Sequence, residues 1–186
     1  MEISNGLLVA ILFITLLALG IAHVVMAVAA VVSGDRESRP DGLLAAWTVL
    51  LLLVYLELFW HTLDLLKLEE WAFGGFLYVI LGPMLLFFAT NVLLPGASVP
   101  EGVSAREHYL SASARFFGLL ALVQVWIIGV DQLLGIGFTT ATAFTAIAAL
   151  LAVLLASTRR VRVHVVGTVA AAVLLVAGFV IPGAGG

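Results

Sequence analysis

The chain has 186 residues, 63% of them hydrophobic and 10% charged, with a mean hydropathy of +1.24. Soluble domains carry about 25% charged residues, so there is too little charge here to coat a water-facing surface, and a soluble globule and intrinsic disorder are both excluded. The net charge of −3 leaves no basic patch for nucleic acid, and the lack of cysteine removes disulfides, thiolate metal sites and a cysteine nucleophile.

Six apolar stretches are each long enough to cross a bilayer. The first runs from about Gly6 to Ser33. The segment Met1-Glu2-Ile3-Ser4-Asn5 before it lacks a positive start, and the apolar run is too long for a signal peptide, so a retained helix is expected. No lipidation or retention motif is found. A polar loop from Gly34 to Asp41 leads to the second span, about Gly42 to Leu66. The third runs from about Ala72 to Leu94 and stops at Pro95. The connection to Leu110 contains Ser104-x-x-Glu107, a capping-box spacing. It predicts a short helix starting near Ala105 and lying at the membrane interface ahead of the fourth span, about Ala112 to Leu134. The turn Gly135-Ile136-Gly137 is short enough to make spans four and five a tight hairpin. The fifth span runs from about Phe138 to Ser157 and the sixth from about His164 to Ile181. Backbone groups in lipid must bond internally, so each span is expected to be a helix. The expected fold is an all-α polytopic bundle forming one transmembrane domain over residues 1–186.

Basic residues orient it. Arg36, Arg39, Arg106, Arg115, Arg159, Arg160 and Arg162 fall on one side of a six-span protein, and Lys67 alone falls on the other. That places the arginines in the cytoplasm and both termini outside. Arg159, Arg160 and Arg162 serve first as a topology determinant, and as a cluster they suit anionic lipid headgroups. Trp71 beside Glu69 and Glu70 fits an outer interfacial anchor.

Charged groups at bilayer depth cost roughly 2.5–3.5 kcal/mol on insertion scales, and so mark function. Glu57, His61 and Asp64 follow one another at steps of four and three, on one face of span two. Gln124 and Asp131 lie in the corresponding half of span four, and Thr139, Thr140, Thr142 and Thr145 in that of span five. Turned inward together, these faces would line a polar, mostly acidic cavity open to the outside. Aligning Asp64 with Asp131 sets Glu57 opposite Gln124, but the rest of the two spans does not follow, so no repeat is read.

Carboxylate and imidazole at this spacing form the proton relays of pumps and transporters. A proton or cation site at Glu57, His61, Asp64, Gln124 and Asp131 is therefore expected, for transport or sensing. The competing structural account has Glu57 and His61 satisfy each other while Asp64 and Asp131 are wetted at helix ends. The same groups offer nitrogen and oxygen ligands to zinc, manganese or iron. Against a metal stand the single histidine and the absence of a second Glu-x-x-His unit. Haem is weaker still, since His23 and His61 differ in depth by about 15 Å, which does not suit two axial ligands of one haem. His23 is expected to bond a neighbouring helix, whereas His108 and His164 are expected to be solvated. No cofactor is expected, and no nucleophile–base pair supports an enzyme.

Gly82-Pro83, in the middle of span three, frees the carbonyl of Val79 and makes either a hinge or a static bend. Asn91 can bond across helices. Gly167-x-x-x-Ala171 permits close helix packing. The small size and Ala/Gly-rich last spans equally suit an accessory or assembly subunit, in a homo-oligomer or a larger membrane complex.

Trp47, Phe59-Trp60, Trp71 with Phe73 to Phe76, Leu81-Gly82-Pro83, Leu94-Pro95, Glu107-His108-Tyr109 and Arg115-Phe116-Phe117 form a pattern over spans two to four. It resembles a group of small multi-pass bacterial membrane proteins of uncharacterised function. The resemblance implies a bacterial cytoplasmic membrane and carries no activity or site residues with it.

Overall fold

The computed structural model describes residues 5–32, 41–65, 71–94 and 104–180, apart from the side chains at 31–32 and 63–65. These form six α-helices and, among the described residues, no strand. They are α1 (Asn5–Val32), α2 (Gly42–Leu65), α3 (Phe73–Leu93), α4 (Ala105–Leu133), α5 (Thr140–Ala156) and α6 (Val161–Val180). All but α5 are long and apolar enough to cross a membrane. The 17 residues of α5 are at about the lower limit for a span. The connections holding Arg36, Arg39 and Lys67 lie outside the described residues.

The helix starts have local causes. Asp41 caps α2, its Oδ1 accepting from the backbone N–H of Leu43 at 2.9 Å and of Leu44 at 3.4 Å. Ser104 and Glu107 form the capping box that their spacing predicts. The helix that follows is not a short interfacial one, however. It continues unbroken for 29 residues into the bundle, so the expected break before Ala112 is corrected. Thr139 and Thr142 cap α5 in the same reciprocal way. The turn before it carries Gly135 at φ 72° and Gly137 at φ 75°, backbone that side chains disfavour. This lets α5 fold straight back along α4.

Packing follows a closed circuit of neighbours. α1 touches α2 and α3, α3 touches α4, α4 touches α5, α5 touches α6, and α6 returns to α2. A further contact between α2 and α4 divides the circuit into two lobes. The α1–α4 lobe is filled by large side chains such as Phe13, Leu17, Tyr55 and Leu86. Close approach there depends on missing side chains: the Tyr55 ring lies where a Cβ of Gly20 would stand, and Trp126 does the same at Gly82. The outward faces carry Leu150, Val166, Val173 and Trp60, all exposed, as a surface solvated by lipid requires.

Candidate functional site

The α2–α4–α5–α6 lobe is not filled. It encloses a cavity of about 410 Å³. Helical spacing explains which residues reach it. From α2 come Trp47, Leu50, Val54, Glu57 and His61; from α4, Leu120, Gln124, Ile127 and Asp131. Each set advances by three or four residues and forms one stripe. From α5 and α6 the stripes include Ala141, Ala148, Ala152, Ala171 and Gly178. These small side chains leave unfilled the volume that leucines would occupy.

Four of the five residues expected at a proton or cation site thus line one cavity: Glu57, His61, Gln124 and Asp131. Asp64 continues the α2 stripe by spacing, but its side chain lies outside the described residues. Glu57 and His61 are each half-buried, one turn apart on α2. Asp131 is half-buried on the cavity wall. The threonines divide. Thr139 and Thr145 line the cavity, Thr142 is buried in the cap of α5, and Thr140 is exposed. The polar end of the cavity reaches the α4–α5 turn through Leu134, Ile136 and Thr139. Among the described residues, no three His, Asp or Glu side chains could together hold a metal ion.

The remaining expectations sort by packing. His23 bonds the carbonyl of Leu94 through Nε2 at 2.6 Å, so it does tie α1 to the end of α3. Among the described residues Asn91 has no partner on another helix; its amide donates to the Phe87 carbonyl of its own helix at 2.8 Å. Gly82 and Pro83 are buried, and Gly82 admits the face of Trp126. The Trp126 indole N–H donates to the Tyr78 carbonyl at 2.7 Å, next to the carbonyl that Pro83 leaves without its helical donor. Gly167 lies against Leu155, which brings α5 and α6 close, whereas Ala171 faces the cavity. Arg159, Arg160 and Arg162 are exposed around the α5–α6 turn. Trp71 is half-buried against the core.

His164 is a correction. It is fully buried, with Nδ1 2.9 Å from the Tyr109 hydroxyl and Nε2 2.9 Å from the Thr158 carbonyl. His108 is half-buried, and its Nε2 lies 3.1 Å from the Leu93 carbonyl. Beside His164, the Trp47 indole donates to Thr168 Oγ1 at 2.9 Å, and Phe116 and Phe117 pack edge-on against Trp47. This aromatic and polar cluster closes the cavity at the end away from the carboxylates. At the same end, Arg106 donates to Asp41 at 2.8 Å. Sequence reasoning missed both groups. Asp41 had a usable signal, an N-cap residue directly before an apolar run. No family model matches the chain, and neither a curated protein nor a solved structure is found similar to it.

Proposed function

We propose that this is an integral membrane protein of the bacterial cytoplasmic membrane that takes up a proton or cation in the α2–α4–α5–α6 cavity, for transport or sensing. The observation supporting it is the convergence of Glu57, His61, Gln124 and Asp131 on one cavity. Isolated charges in lipid are costly and tend to face an interior pathway. In this reading Glu57 holds the proton or cation, and His61, one turn further along α2, exchanges the proton with it. Gln124 and Asp131 supply oxygen atoms from the opposite helix. The arginine bias sets the polar end of the cavity outward.

The test is flux into proteoliposomes, followed with an internal pH dye and with a cation-sensitive dye. Wild type is expected to conduct, and Glu57→Gln to abolish most of the flux. Flux unchanged by that substitution removes Glu57 from the pathway. Absent flux leaves the accessory-subunit reading in its place.

A further inference from the structure

The cavity changes chemistry along its length. Glu57, His61, Gln124, Asp131 and Thr139 lie toward the α4–α5 turn. Leu50, Ala152, Leu155 and Ala171 lie toward the opposite end, which Trp47 closes. From His61 to Trp47 the axis of α2 covers about 21 Å, at ~1.5 Å per residue. A proton needs no such room, and an inorganic ion finds no ligand among alanine and leucine side chains. The volume, about 410 Å³, falls within the roughly 300–1,000 Å³ of pockets that hold organic small molecules. Among the described lining residues that end carries two carboxylates and one imidazole, and carboxylate oxygens suit a positive guest. Phe144 adds an aromatic ring to the lining, a group that attracts cations.

Resting on the cation-site reading above, we propose that the cavity takes an amphipathic organic monocation. Its charged end sits among Glu57, Gln124 and Asp131, and its apolar body occupies the alanine- and leucine-lined end. Entry of the guest replaces the proton held on the Glu57–His61 face, which couples organic cation to proton.

The probe is radiolabelled octyltrimethylammonium, bound to the full chain in phosphatidylcholine nanodiscs against empty discs. Saturable binding at one site per chain is expected. Octanesulfonate, of similar length and opposite charge, should not compete. Tetramethylammonium and sodium, which lack the apolar body, should compete at least about tenfold more weakly. Glu57→Gln should weaken binding by at least about tenfold. Ala152→Phe, which fills the apolar end, should weaken it as well. Asp131→Asn gives a second, nearly isosteric charge variant should Glu57→Gln fail to fold. Competition by octanesulfonate, or equal competition by tetramethylammonium or sodium, overturns the proposal. So does binding indifferent to both charge variants. Wild type that conducts protons or inorganic cations through Glu57 but binds no octyltrimethylammonium sinks this inference and spares the site. Wild type that does neither sinks both.

Discussion

The Tyr109 hydroxyl on α4 stands 2.9 Å from Nδ1 of His164 on α6. The other ring nitrogen faces the Thr158 carbonyl, which can only accept. Nε2 therefore carries a proton, and in the neutral imidazole Nδ1 accepts from the tyrosine. Tyr109→Phe strands a buried acceptor and should cost about 1–3 kcal/mol. His164→Phe should cost a similar amount, and the double substitution less than the sum, with a coupling of about 0.6–1.7 kcal/mol. Reversible unfolding in mixed micelles measures all three. Strictly additive costs would show that the two residues act separately.

That pair marks where sequence reasoning stops. A step of four residues places Glu57 and His61 on one helical face, and depth in the bilayer sets Gln124 and Asp131 level with them. Which helices then meet depends on residues distant in the chain. His164 stands next to Arg162 in sequence and reads as solvated, yet Tyr109, Phe117 and Thr158 enclose it. The first turns of α4 were hidden for a related reason. Arg106, Glu107, His108 and Ser111 lower the local hydropathy, and hydropathy marks where a chain enters lipid rather than where its helix begins. The cavity itself was legible as a polar face, but its apolar half was not. Alanines on α5 and α6 look like close-packing residues whether or not a partner fills the space before them.

Asp41 predicts an acid-sensitive step. Burial acts to raise its pKa, but the hydrogen bond from Arg106, the N–H groups of Leu43 and Leu44 and the guanidinium charge outweigh it. They hold the carboxyl below its ordinary 3.8. A lowered carboxylate pKa stabilises the fold at every pH above the ordinary value, and that contribution disappears as pH falls through the folded one. Wild type should therefore lose melting temperature as pH falls below 3.8 toward the folded value. Asp41→Asn retains a cap without the charge, and should lose less over the same interval. Asp41→Ala should cost about 0.5–2 kcal/mol at neutral pH through the missing cap. Equal acid sensitivity in wild type and Asp41→Asn would remove this pair as its source.

Gly82 separates a packing role from a hinge. A Cβ there would overlap the Trp126 ring, so Gly82→Ala should destabilise the protein by about 1–3 kcal/mol. Trp126→Phe reduces the ring and forfeits the bond to the Tyr78 carbonyl. Combined with Gly82→Ala it should cost less than the two changes added together. Unfolding of the four proteins in the cycle gives the answer. A Gly82→Ala protein of unaltered stability but slowed flux would assign the position to a hinge instead.

The membrane orientation is testable because the native chain offers no cysteine to label. Ile136 is exposed in the α4–α5 turn, and Ser157 is exposed where α5 ends. Between them α5 rises about 25 Å, at ~1.5 Å per residue, and a six-span threading puts the two positions on opposite faces of the membrane. Arg159, Arg160 and Arg162 follow Ser157 directly, and the positive-inside rule sets them in the cytoplasm. Ile136→Cys should react with a membrane-impermeant maleimide added to intact cells, and Ser157→Cys only after lysis. The polar end of the cavity shares the face of Ile136, so the same labelling decides which compartment Glu57 and Asp131 sample. Labelling in the reverse pattern would turn that end to the cytoplasm, and protons would have to arrive from the other direction.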